Sequence, residues 1–368
     1  MKIEEINLYK IKMRMKNPFT TSFGTEHDRL FILTEVKNED GLSGWGECVT
    51  SERPLYIEEF TDSSWLMLEQ FLVPLLLKKE IKHPEEVQEL FSAYKRNHLA
   101  KSSLDGAVWD LYAKTRGISL AQALGGEKQT IEVGVSLGIK DNIEDLLKEV
   151  KEKTDEGYKR IKIKIKPGKD VEVVKQVRQH FPDIPLMVDA NSAYTLEDIE
   201  VLKELDQFKL MMIEQPLTAG DLIDHANLQK HLKTPICLDE SIHSFDDARQ
   251  AVELGSGRII NMKVGRVGGL TEAKKIHDFC MKKNIEMWCG GMLESGIGRA
   301  HNIAITSLPN FTLPGDTASS SRYWEKDIIE PEVIVKNGQL QVPEGPGIGY
   351  KIDLDEVLKH TVERKSFK

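Results

Sequence analysis

The chain has 368 residues, 50 Lys plus Arg against 59 Asp plus Glu, and a net charge of −9, with 40 % hydrophobic and 30 % charged residues. This length allows two or three domains, the composition is globular rather than disordered or fibrous, and the acidity argues against nucleic acid or anionic membrane as partners. Four scattered cysteines without a CxxC pair exclude a disulfide scaffold or zinc knuckle, and the absence of an apolar leader or a 20-residue apolar run points to a cytoplasmic protein.

In chain order, residues 3–12 alternate apolar and polar as a half-buried strand should. A second strand is expected over 31–36 and a third beginning within 41–46. Between the first two lies Pro18-Phe19-Thr20-Thr21-Ser22-Phe23-Gly24, read as a polar loop whose two Phe rings either cover a ligand or pack into the core. Residues 56–124 have helical periodicity, with Gly117 as a C-terminal cap and Gly125-Gly126 as a break. Short strands then alternate with amphipathic helices. Strands are expected at 131–137, 160–165, 185–189, 210–214, 235–239, 258–263, 285–289 and 311–313, with seven helices between them. Strict alternation of that length implies parallel strands with crossovers, an α/β barrel of the TIM type. Near the C-terminus, Asn337-Gly338 predicts a hairpin between 333–336 and 339–342, returning to the N-terminal unit.

The informative feature is what ends the strands. Lys164, Asp189, Glu214, Asp239 and Lys263 follow apolar runs at intervals of 25, 25, 25 and 24 residues. That period is one strand, one helix and two short loops, so each residue reaches the C-terminal mouth of successive strands, where barrel enzymes place their chemistry. One such Asp could simply cap the next helix. Three carboxylates on adjacent strand ends repel one another unless a cation lies between them, and an all-oxygen set suits Mg²⁺ or Mn²⁺. Lys162 and Lys164, at i and i+2, share one strand face. An exposed edge is the plain alternative, since Lys166 extends the run. In the barrel interior, paired ammonium groups lower each other's pKa and make Lys164 a candidate base, with Lys263 across the mouth. The set reads as lysine, metal, lysine: chemistry for an enolate made from a carboxylate substrate.

These residues, with Gly44-Trp45-Gly46-Glu47, Trp109-Asp110-Leu111, Asp189-Ala190-Asn191, Ile213-Glu214-Gln215-Pro216, Leu238-Asp239-Glu240-Ser241, Lys263-Val264-Gly265-Arg266, Trp288-Cys289-Gly290-Gly291-Met292 and Pro314-Gly315-Asp316, resemble the enolase superfamily, muconate-lactonizing-enzyme subgroup. Within it the chain is similar to the o-succinylbenzoate synthase / N-acylamino acid racemase family. The resemblance implies a modified (β/α)7β barrel at 126–322 under an α+β capping domain built from 1–125 and 323–368. It implies metal ligands Asp189, Glu214 and Asp239, and catalytic Lys164, Lys263 and Lys162. Lys164 would take the α-proton of a cyclohexadiene carboxylate from menaquinone biosynthesis and assist syn loss of water, while Lys263 stabilises the enolate. The same lysines, on opposite faces, would racemise N-succinylamino acids, and a dedicated racemase with incidental synthase activity is the alternative reading. Asn191 and Glu240 would support the metal. Ser136, Gly291 and Met292 would line an acyl pocket that Phe19, Phe23 and Tyr323 close. Arg266 resembles a residue of members that also racemise, or forms a helix-end ion pair. Asp316 standing alone argues against a dipeptide epimerase. The expected partner is a small carboxylate, and the expected assembly a homo-oligomer.

Overall fold

A computed structural model describes residues 1–21, 24–140 and 142–368, with the side chains of residues 19–25 outside the description. Two long antiparallel strands, β1 (Ile3–Thr21) and β2 (Gly24–Asn38), open the chain, followed by β3 (Ser43–Cys48). The stretch read as a loop is therefore mostly strand. Pairing continues through Phe19↔Glu26 and Thr21↔Gly24, after a register shift beyond Arg14. The α-helix His98–Thr115 packs across this sheet. It approaches β3 so closely that a Cβ on Gly46 would stand 1.8 Å from the Ser103 carbonyl oxygen, and one on Gly44 2.1 Å from that of Ala107. Glycine at both positions is what lets strand and helix backbones touch.

Seven parallel strands follow: β4 (Val135–Leu137), β5 (Ile161–Lys164), β6 (Leu186–Asp189), β7 (Ile213–Glu214), β8 (Ile236–Leu238), β9 (Ile259–Met262) and β10 (Glu286–Cys289). They are neighbours in sequence order with helices in each crossover. Their outward side chains, such as Ile161, Ile163, Val188 and Ile213, join the main core with the helices. Met187, Met212, Cys237, Ile259 and Trp288 form a separate cluster. The eighth strand expected at 311–313 is not formed as a strand. Instead residues 313–316 bond to both sides of the sheet: Leu313 N and Asp316 N donate to Met287 O and Cys289 O, while Gly134 N donates to Gly315 O at 2.7 Å.

The strand expected over 131–137 is two. Thr130–Glu132 pairs antiparallel with Gln339–Gln341, and only Val135–Leu137 enters the parallel sheet. Gly134 stands at the break, and the buried Arg160 guanidinium occupies the space that a Cβ there would fill. The Asn337-Gly338 turn forms, with Lys336 bridged to Gln339, but residues 333–335 before it are not strand, and the strand after it, Gln339–Gln341, pairs with Thr130–Glu132 instead. The return to the N-terminal unit comes later, through β11 (Thr361–Phe367), which pairs with β1 to give the order β11-β1-β2-β3.

Candidate active site

Lys164, Asp189 and Glu214 lie side by side in register at the ends of β5, β6 and β7. Asp239 and Lys263 each stand one residue beyond β8 and β9. Parallel strands of equal stagger put all five at one edge of the sheet, as the 25-residue spacing predicted. Lys164 Nζ donates to Asp189 Oδ2 at 2.6 Å and to Asn191 Oδ1 at 2.6 Å. At the other end of the row Lys263 Nζ donates to Asp239 Oδ2 at 2.9 Å. Between them buried Lys162 lies 3.0 Å from Glu214 Oε2, 3.5 Å from Asp189 Oδ2 and 3.0 Å from Asp316 Oδ2, with its ammonium 4.9 Å from the Trp288 ring.

The electrostatics depart from one expectation. Lys162 was read as depressed by its neighbour lysine. Burial does act against its charge, but Asp316, Glu214 and Asp189 outweigh burial and hold it well above the ordinary lysine value. Lys263 is likewise raised, burial being overcome by Asp239. The reason is that carboxylate oxygens stand within 3.5 Å of each of these ammonium groups. The carboxylates divide. Asp189 and Asp239 are lowered despite burial, by Lys164 with Lys162 and by Arg266 with Lys263 respectively. Glu214, wholly buried, is pushed up to about 8 by burial and by the charges of Asp189 and Asp239.

That repulsion bears on whether a cation fits. Among the described residues no three carboxylate, histidine or cysteine side chains stand as a ready set of metal ligands. Each carboxylate instead accepts from lysine, arginine or asparagine, including Asn261 Nδ2 to Glu214 Oε1 at 2.7 Å. Yet three hard oxygen donors share one strand edge, and their mutual repulsion shows in Glu214. The donor chemistry fits a divalent cation of the Mg²⁺ type, which would relieve that repulsion.

The other expected residues are placed as follows. Asn191, at φ +42, holds Lys164 through Oδ1, while its Nδ2 donates to Glu240 Oε1 at 3.0 Å. Glu240 is pushed up to about 7 by burial and by Asp239 and Asp189. Arg266 is fully buried and pairs with Asp239 through Nη1 to Oδ1 at 2.6 Å. Ser136 sits in β4 opposite Lys162. Gly291 lies against Asp316, and Met292 is tied to the N-terminal unit by Arg29 Nη2 to its carbonyl at 3.4 Å. Tyr323 accepts at its carbonyl from Lys16 N of β1 at 2.8 Å, which sets it against the β1–β2 hairpin. Phe23 and the side chain of Phe19 lie outside the described residues. A cavity of about 110 Å³ beside Lys164 is walled by Ile139, Ile143, Leu146 and Ile163; Ser136, Gly291 and Met292 are not among its described lining.

Several residues were missed by sequence reasoning. Tyr56 donates to Asp239 and accepts from Lys263 and Arg266. Asp316 pairs with both Lys162 and Arg160. Buried Gln215 accepts at Oε1 from Asp239 N at 3.0 Å and so fixes the backbone of that carboxylate. Asn261 carried a usable signal, since it stands two residues before Lys263 and period-2 alternation puts both on one face. Tyr56 carried none, because it belongs to the other unit.

The fold and this edge of lysines and carboxylates define an enzyme, and the chain belongs to the enolase superfamily. A profile described as mandelate racemase / muconate lactonizing enzyme, N-terminal domain, matches residues 4–125, and one described as enolase C-terminal domain-like matches 145–357. Enzymes of this superfamily generally use a divalent metal. Among its relatives, the o-succinylbenzoate synthase of Geobacillus kaustophilus is 60 % identical over 365 residues, 99 % of this chain and 97 % of that one. The N-succinylamino acid racemase of Thermus thermophilus is 46 % identical over 98 % of each chain. A crystal structure of an enolase-superfamily member from Listeria innocua superposes with a TM-score of 0.97 at 45 % identity, covering 99 % of this chain and 98 % of that one. Among the described residues no helix is long and apolar enough to cross a membrane.

Proposed function

We propose that the chain is an o-succinylbenzoate synthase that also racemises N-succinylamino acids with the same lysine pair. The observation that carries this is the placing of Lys164 and Lys263 at opposite ends of one carboxylate row, on Asp189 and Asp239. Two amines flanking a carboxylate-binding edge serve either one-face elimination or two-face proton exchange. Relatives bearing both names support the pairing of activities. In this reading Asp189, Glu214 and Asp239 would hold a divalent cation, Mg²⁺, which would supply positive charge to the substrate carboxylate. Lys162, among three carboxylates, stays an ammonium and orients that carboxylate.

Lys164, as the free amine, takes the α-proton, and the C–H electron pair moves into the carboxylate. In dehydration Lys164 returns that proton to the departing hydroxyl, so water leaves from the same face. Lys263 remains charged across the enediolate. In racemisation one lysine removes the proton and the other delivers one from the opposite face. Asn191, held by Glu240, sets the Lys164 rotamer. We also propose that the segment at 313–316 closes the sheet as a modified (β/α)7β barrel at 126–322, capped by 1–125 and 323–368. Hydrogen bonds from that segment to both edge strands, and β11 on β1, support this. Four buried free cysteines accord with a cytoplasmic setting. The test compares kcat/KM for dehydration and for racemisation of N-succinylamino acids with Mg²⁺ present. Failure of both sinks the assignment, and a Lys164→Ala enzyme that dehydrates near the wild-type rate sinks the base.

A further inference from the structure

Tyr56 lies in an irregular segment, residues 51–60, that precedes the first helix. Both ends of the segment are anchored within the N-terminal unit. Arg29 Nη1 donates to Ser51 Oγ at 2.6 Å, and Glu59 accepts from Leu99 N and Ala100 N at the start of the helix His98–Thr115. From this fixed base the Tyr56 hydroxyl reaches across to the end of β9. It accepts from Lys263 Nζ at 2.7 Å and from Arg266 Nη1 at 3.1 Å, and it donates to Asp239 Oδ2 at 3.4 Å. The Lys263 ammonium also lies 4.8 Å from the centre of the Tyr56 ring. With Asp239 taking one N–H of Lys263 and Tyr56 another, two of its three donor directions are set. Among the described residues Lys164 bonds only to Asp189 and Asn191, both of the parallel unit.

We propose that Tyr56 is a positioning residue for Lys263, so that the N-terminal unit governs proton transfer on the Lys263 face of the substrate and leaves the Lys164 face alone. The inference rests on the two-lysine reading above. A lysine side chain has four rotatable bonds, and a proton transfer needs its nitrogen within hydrogen-bond reach of the α-carbon. An acceptor that keeps one N–H engaged in both the charged and neutral forms holds the nitrogen in place and directs what remains toward the substrate. One-face dehydration asks of Lys263 only a charge, which tolerates a looser position. Two-face exchange asks of it a directed lone pair, which does not.

The experiment follows α-proton exchange of each enantiomer of an N-succinylamino acid in D₂O by NMR, beside the dehydration rate. Lys164→Ala and Lys263→Ala identify which enantiomer each lysine serves. Tyr56→Phe, which removes one oxygen and keeps the ring, is expected to slow exchange of the Lys263 enantiomer about tenfold, the size of one lost hydrogen bond to a charged group. Exchange of the Lys164 enantiomer and dehydration should each fall by clearly less than exchange of the Lys263 enantiomer. Tyr56→Leu should deepen the asymmetry, and Tyr56→Phe should add nothing in a Lys263→Ala background. Equal losses on both faces, or none, overturn the positioning role, while an unchanged thermal midpoint excludes a folding defect. If neither lysine variant is enantiomer-selective, the two-lysine reading fails, and the role of Tyr56 fails with it.

Discussion

Replacing Asp110 by alanine should cost about 3–5 kcal/mol of folding stability, a large share of the 5–15 kcal/mol usual for a folded chain. Asp110 is wholly buried in the helix His98–Thr115 and accepts three hydrogen bonds: from Trp45 N of β3 at 2.8 Å, from Ile348 N near the C-terminus at 2.8 Å, and from Lys114 Nζ at 2.7 Å. One carboxylate thus ties strand, helix and C-terminal segment. Gly347 lies so close that a Cβ there would stand 2.2 Å from Asp110 Oδ1. The variant strands two buried backbone donors, each costing about 1–3 kcal/mol. Lys114 adds little, because it is partly exposed and retains the Ser43 carbonyl at 2.8 Å. Urea unfolding at pH 8, followed by tryptophan fluorescence and far-ultraviolet circular dichroism with coincident transitions, gives the difference from the midpoint and slope. A loss below about 1 kcal/mol would refute the reasoning, since a water or a local shift would then satisfy both donors.

Three further outcomes are expected. His301, buried and with Nε2 unpartnered among the described residues, is pulled down to about 4 by burial, against an ordinary 6.5. The unfolded chain therefore binds this proton first, so stability is full above pH 6.5 and falls by about 3 kcal/mol as pH drops toward 4. A His301→Asn variant that kept the full slope between pH 7 and 4.5 would contradict this. Gly46→Ala drives a methyl into the Ser103 carbonyl and should cost about 3 kcal/mol or more, read as a lower urea midpoint; a wild-type midpoint would mean that strand and helix separate freely. Chelation of divalent cations should abolish dehydration, and added Mg²⁺ or Mn²⁺ should restore it, whereas full activity after exhaustive dialysis against chelator would remove the cation from the reading.

Much of the site was legible because its spacing is that of a repeating unit. One strand, one helix and two short loops take about 25 residues, so Lys164, Asp189, Glu214, Asp239 and Lys263 announce their shared edge before any packing is known. The errors fall where distant segments decide. Residues 18–21 look like a polar loop until β2 is laid against them. Residues 311–313 look like a strand, but the bonds to both sheet edges are made from 313 onward.

By itself the amino-acid order determined the alternation, the parallel sheet and the chemistry of its edge, since periodicity and strand-end residues are local properties. Tertiary structure alone decided which charges meet. Lys162 was expected to feel its neighbour in sequence, yet its state is set by Asp316, 154 residues away, together with Glu214 and Asp189. Lys263 is reached by Tyr56 from another unit of the chain, 207 residues away. Coulomb and hydrogen-bond energies depend on distance in space, and no local pattern in a sequence records which remote side chain will stand within 3 Å.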